Sequence, residues 1–153
     1  MLKPNGGLGL IWNMEDYNSP RSLQVQTEWE EQLREVIWAL DDGQPRFKSE
    51  TWQSAFDNEA AEQLFRLPLN IKTWSQVQTV DLAALENRIL SYCMLQNATS
   101  DEREWYTWRI RCILQKAIEE SQEDGGCGLQ MRVSTIVAWA HKDHSSTSSG
   151  EEA

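Results

Sequence analysis

A turn followed by a short apolar run opens the chain and constrains the fold more than any other feature of the sequence. The turn is Pro-Asn-Gly-Gly at 4–7, and the unbroken apolar run Leu-Gly-Leu-Ile-Trp occupies 8–12. A run of this length bounded by a turn is typical of a parallel strand that is buried on both faces. Ligands of open α/β sheets bind beyond the carboxyl ends of such strands, so we predict that Asn13, Glu15 and Asp16 face a crevice.

Capping residues and apolar spacing predict the elements that follow. Thr27, with a glutamate three residues later, forms a capping box ahead of an apolar stripe at helical spacing. Asp81 and Ser100 stand in the capping position before two later stripes. Alternating apolar residues predict strands over 65–73 and 129–140.

The composition is that of one soluble globular domain and argues against an anionic partner. Of the 153 residues, 40% are hydrophobic and 25% are charged, and 24 acidic residues against 14 basic ones give a formal net charge of −10. This charge repels a phosphate backbone or an anionic bilayer, so neither nucleic acid nor a membrane is an expected partner. The three cysteines form no CxxC pair, and the sequence shows no secretory or membrane-length apolar segment, which predicts reduced thiols and a cytoplasmic location.

Three segments, taken in order, resemble a known enzyme family. They are 2–13 (LKPNGGLGLIWN), 81–92 (DLAALENRILSY) and 133–141 (VSTIVAWAH). The set is similar to class I S-adenosylmethionine (SAM)-dependent methyltransferases, in the form found in fungal small-molecule methyltransferases. The resemblance implies an α/β fold with a partial Rossmann-like sheet of about three strands, the fifth to seventh of the family, and several covering helices. It makes 1–142 the C-terminal half of a methyltransferase-like domain, and the polar tail at 143–153 is expected to be disordered.

The half of the family's fold that holds SAM has no counterpart in the sequence. Members of the family bind the cofactor with a glycine-rich turn after the first strand and with an acidic residue that ends the second. Gly6 and Gly7 stand before a predicted strand, whereas Gly125 and Gly126 follow a helix, so neither pair presents a helix N-terminus to a ligand. The resemblance thus implies SAM as the family's cofactor, with the expectation that this chain does not bind it alone. The first strand would lie at an open sheet edge, which predicts self-association or a complementary protein subunit.

Five residues are candidates for binding a small-molecule acceptor. By resemblance, the loop that carries Asn13, Glu15 and Asp16 helps to shape the acceptor pocket; the alternative is an ordinary loop that leads into a helix. Trp105 and Trp108 are one helical turn apart and would line the same pocket, or alternatively pack in the core.

The resemblance implies a role in moving a methyl group from SAM to an oxygen, nitrogen or carbon of a small, secondary metabolite, by a chain that is inactive alone. No catalytic residue is identified. The alternative is a non-catalytic binding or scaffolding subunit that pairs with a methyltransferase-like partner. A third hypothesis is an abbreviated gene model or a decaying gene copy. No metal site is predicted, because His141 and His144 have no cysteine or carboxylate cluster beside them.

Overall fold

The computed structural model describes residues 2–3, 6–40, 43–44, 46–123 and 125–142. The fold is mixed α/β, with one three-stranded antiparallel sheet and several helices. The predicted disordered tail at 143–153 lies outside the described residues. The helices are α1 (Glu28–Ala39), α2 (Glu59–Leu64), α3 (Leu82–Leu90), α4 (Cys93–Asn97) and α5 (Ser100–Glu123), and the strands are β1 (Gly7–Glu15), β2 (Asn70–Val80) and β3 (Leu129–His141).

The sheet has the order β1-β3-β2, so the last strand of the chain lies between the other two. The prediction that β1 is a parallel strand buried on both faces is wrong. Over 7–13 its residues alternate between exposed and half-buried, and Ile11 is 69% exposed. The apolar run misleads because Gly7 and Gly9 occupy the exposed face without a polar side chain that would reveal the alternation. A Rossmann-like arrangement is therefore not what this antiparallel sheet shows.

The chain divides into two compact units, which are described separately. The larger unit comprises the described residues within 14–44 and 75–134, and it holds the main apolar core. In this unit α1, α3 and α4 pack against the long helix α5. Its most buried side chains are Tyr17, Leu33, Ile37, Ile89, Leu95, Ile110 and Leu114. Full burial of aliphatic side chains of this size contributes about 1.5–3 kcal/mol each, so this core dominates the stability of the unit.

The smaller unit comprises the described residues within 1–13, 45–74 and 135–153, and an aromatic cluster organises it. Trp12 of β1 contacts Phe47 and Trp52, with ring centroids 4.9 and 4.6 Å away. Phe47 and Trp52 lie in two successive 3-10 turns, Phe47–Ser49 and Thr51–Phe56. The three half-buried rings pack against one another beside β1.

Local signals located most elements correctly. Thr27 caps α1 by accepting from the backbone N–H of Glu30, Asp81 caps α3, and β3 coincides with the predicted final strand. The strand predicted over 65–73 is displaced: β2 begins at Asn70 and continues to Val80. Pro68 lacks a backbone N–H for a sheet ladder, so regular pairing starts beyond it.

Candidate functional site

β1 ends in two acidic side chains that the structure buries in ion pairs. Glu15 and Asp16 are each only 2% exposed. The guanidinium group of Arg88 pairs with Glu15, and Nε of Arg132 donates to Oδ1 of Asp16 over 3.0 Å. Arg132 also donates from Nη2 to the backbone carbonyl of Gln24 over 3.2 Å. The two carboxylates predicted to face a crevice are therefore already occupied by arginines.

Two tyrosines border the pair formed by Glu15 and Arg88. Tyr17 is fully buried, and the pKa of its hydroxyl lies far above its usual value, chiefly because of burial and then because of Tyr92 and Glu15. Burial, followed by the charge of Glu15, raises the pKa of Tyr92 to about 12. Both hydroxyls stay protonated at neutral pH, so neither can serve as a base there.

A third buried acid, Glu30 of α1, lies near Asp16 and Arg132. Its side chain is 0% exposed, and its Oε2 accepts a hydrogen bond from Oγ1 of Thr27 over 2.7 Å. Burial is the main cause that raises the pKa of Glu30 to about 7; the hydrogen bond from Thr27 acts in the opposite direction, and the charge of Asp16 adds to the rise. Among the described residues, Oε1 of Glu30 and Oδ2 of Asp16 have no hydrogen-bond partner. A proton on Glu30 relieves the repulsion between the two acids.

These five residues, Glu15, Asp16, Glu30, Arg88 and Arg132, form what we call the buried charge cluster. The carboxylates lie inside, whereas the arginine side chains are 53% and 30% exposed. The cluster links the end of β1 to α1, α3 and β3 within the larger unit. Removal of either arginine would leave an uncompensated buried charge. Its chemistry is therefore suited to holding elements together and to exchanging one proton near neutral pH.

The structure places the other three predicted residues elsewhere. Asn13 belongs to the smaller unit, is exposed, and accepts a hydrogen bond at Oδ1 from Oγ1 of Thr135 over 2.8 Å. Trp105 and Trp108 lie on the outer side of α5 and are 54% and 57% exposed. They are therefore not core residues, and their acceptor-binding role stays a prediction.

Two of the cavities within the described residues are lined by side chains that the sequence does not single out as candidates. The first, about 460 Å³ in volume, lies in the smaller unit and is called the α2 cavity here. Its lining includes apolar Phe56, Leu67, Leu69 and Ile71 and acidic Asp57 and Glu62. The second, about 500 Å³, lies between α3 and α5 and is lined by side chains that include Leu82, Glu86, Arg111, Cys112 and Lys116. Sequence reasoning missed the α2 cavity because it assigned 65–73 to a strand, although the Leu-Pro-Leu segment at 67–69 is a signal for irregular backbone.

The described residues do not fit a cradle for SAM. Such a cradle needs a glycine-rich turn between a strand and a helix whose N-terminal N–H groups are free. At the junction of β2 and α3, the carboxylate of Asp81 already accepts from the backbone N–H groups of Ala83 and Ala84, over 3.2 and 2.9 Å. Gly6 precedes β1, and Gly125 follows α5 with φ of 80°. No step of a methyl transfer can be assigned to these residues.

The part of the chain that the structure describes contains neither a metal-ligand group nor a helix of membrane-spanning type. No group of three or more histidine, cysteine, aspartate or glutamate side chains there could hold a metal ion. His141 is exposed at the end of β3, and His144 lies outside the described residues. Among the described helices, none combines the length and the apolar character that a bilayer crossing requires.

Comparison of the chain with protein-family models, with curated proteins and with solved structures gave no match.

Proposed function

We propose that this chain supplies the acceptor side of a SAM-dependent methyltransferase of the small-molecule type, and that it works with a cofactor-binding half contributed by other residues. In this proposal, the strands β1, β2 and β3 take the places of the family's fifth to seventh strands. The substrate is a small, secondary metabolite. The chain alone is inactive, because its residues do not fit SAM.

The position of β1 at a sheet edge carries the proposal. β1 follows directly on the LKPNGG segment and pairs only with β3 among the described strands. Because β1 and β2 are both antiparallel to β3, they run in the same direction, and the outer edge of β1 remains available to a further strand. A cofactor-binding half that adds strands at this edge would complete a larger sheet.

In this proposal the buried charge cluster has a structural role, and the exposed tryptophans of α5 provide the contact surface. Glu15 and Asp16 are paired with arginines, so they fix the carboxyl end of β1 instead of contacting the acceptor. The exposed Trp105 and Trp108 offer flat apolar surface, which a substrate or a docked half can cover. A methyl transfer requires that the acceptor molecule is held in a fixed position, and in this proposal the chain holds it.

Calorimetric titration of the purified chain with SAM tests the first half of the proposal. We expect no heat of binding with the chain alone. Micromolar binding of SAM by these residues alone would contradict the proposal. The second half is tested by reading the transcript across the codon for Met1 and by identifying proteins that copurify with the chain. We expect one of them to carry a glycine-rich turn after a strand, and SAM binding should appear when that segment is present.

A non-catalytic binding or scaffolding subunit is the second candidate function. The burial of Glu15 and Asp16 in ion pairs favours it, since these carboxylates are paired with Arg88 and Arg132 and are not exposed to a ligand. This second function would be favoured if a methyltransferase that copurifies with the chain already contains a complete cofactor site. Its turnover should then change little when this chain is removed.

A further inference from the structure

We propose that the α2 cavity binds a small organic cation with an apolar body, of the arylalkylamine class. This inference goes beyond the proposed function and does not depend on it. It rests on the shape, the apolar wall and the unbalanced charge of a cavity in the smaller unit.

The size and the wall of the α2 cavity suit a small organic molecule. Its volume of about 460 Å³ falls in the range of roughly 300–1,000 Å³ that is usual for small-molecule sites. Phe56 is half-buried and is held by an edge contact with Phe65, whose ring centroid is 6.1 Å away. Leu67 and Leu69 are half-buried on the segment that enters β2, and Ile71 lies on β2 itself. An aromatic or aliphatic body gains contact area from this wall without displacing a core side chain.

The charges of the cavity lining select a cation. Its two titratable side chains, Asp57 and Glu62, are exposed acids, and Gln53 adds an uncharged amide. Within the described part of the chain, neither acid has an ion-pair partner within 4.0 Å. The N-terminus of α2 is already capped by Oδ1 of Asn58, which accepts from the backbone N–H of Ala61 over 3.0 Å.

Capping of α2 therefore does not use these acids, and both carboxylates are available to an ammonium group in a cavity whose wall is largely apolar. An anion would meet two like charges there, in a protein whose formal net charge is −10. A cation with a flat apolar body satisfies both the acids and the wall.

Protein-detected NMR of the full chain, with tryptamine as the probe, tests this inference. Indole-3-propionate, which carries the same ring and a negative charge, is the comparison ligand. We expect tryptamine to shift backbone signals within 53–71 with a dissociation constant of roughly 1 mM, as is usual for a ligand of this size. The anion should bind at least about fivefold more weakly, because the charge contacts are exposed and modest in strength.

The double variant D57N/E62Q keeps the shape of the cavity and removes both charges. Its affinity for tryptamine should fall about fivefold. The control E59Q/E104Q removes two charges from exposed residues outside the lining and should bind like the wild type. Ile71→Thr, at a half-exposed strand position, should weaken both indoles equally. The inference is overturned if tryptamine shifts no signal within 53–71, if the two ligands bind equally well, or if both double variants behave alike.

Discussion

Replacement of Glu30 by glutamine (E30Q) provides a quantitative test of the buried charge cluster. Folding raises the pKa of Glu30 from 4.5 to about 7, chiefly because the side chain is buried. The folded protein then holds a proton that the unfolded chain releases, so the wild type loses stability as the pH rises from 4.5 through 7. A rise of about 2.5 pKa units corresponds to about 3 kcal/mol above pH 7. Glutamine keeps the shape and still accepts the hydrogen bond from Thr27, but it has no proton to lose.

Urea unfolding followed by circular dichroism at pH 5.5 and at pH 8.5 measures this effect. E30Q should gain about 2 kcal/mol relative to the wild type between these two pH values, because part of the penalty is already present at about pH 5.5. The control E104Q changes an exposed acid on α5 and should follow the wild type at both pH values. An E30Q difference that is the same at both values would refute the reasoning, since Glu30 would then titrate alike in the folded and unfolded states.

Three further predictions concern an ion pair, the apolar core and one helix cap of the larger unit. Arg88→Met should lower the free energy of unfolding by about 3 kcal/mol, because it strands a buried carboxylate, whereas Arg111→Met removes an exposed pair and should cost less than about 1 kcal/mol. Urea denaturation compares the two variants, and equal losses would argue against a buried pair. Leu114→Ala should cost about 3 kcal/mol through the cavity that it leaves, whereas Trp108→Ala at an exposed site should cost about 0.5 kcal/mol. Thermal melts rank this pair, and the reverse order would contradict the described burial. Asp81→Ala should lower stability by about 1 kcal/mol through loss of the α3 cap, and hydrogen exchange should show the loss first at the amides of 83–84.

The helices α1, α3 and α5 could be predicted because their signals are local, although Thr99 and not the predicted Ser100 accepts from the backbone N–H of Glu102 at the start of α5. A capping side chain and an apolar stripe occupy one short segment, as at Thr27 for α1 and Asp81 for α3, and the structure confirms both. Strand direction and pairing are set by residues far away in the chain, so the apolar run in β1 could not reveal its antiparallel neighbour. The prediction for β2 ends too early, at residue 73, because the second half of the strand is largely exposed and carries no regular alternation of apolar residues.

The candidate site was predictable only in part. The sequence predicts that the acids at the end of β1 face a crevice and bind an acceptor, and this role stays a prediction. Their ion-pair partners cannot be read from the sequence, because Arg88 is 73 residues from Glu15 and Arg132 is 116 residues from Asp16. Glu30 was identified as a cap residue, yet its burial depends on how α1 packs. Ion pairs between distant segments are a property of the tertiary fold, and no local pattern encodes them.

Two neighbouring exposed side chains of α5, Trp108 and Cys112, allow docking on this helix to be measured by fluorescence. Cys112 is exposed and follows Trp108 by four residues on the same helix. Side chains at this spacing are neighbours, with Cβ atoms about 5–6 Å apart. A spin label or quencher attached to this thiol, after replacement of Cys93 and Cys127 by serine, would dim the emission of Trp108. Any macromolecule that settles on this side of the helix would change that dimming, so docking could be followed in real time without a foreign fluorophore.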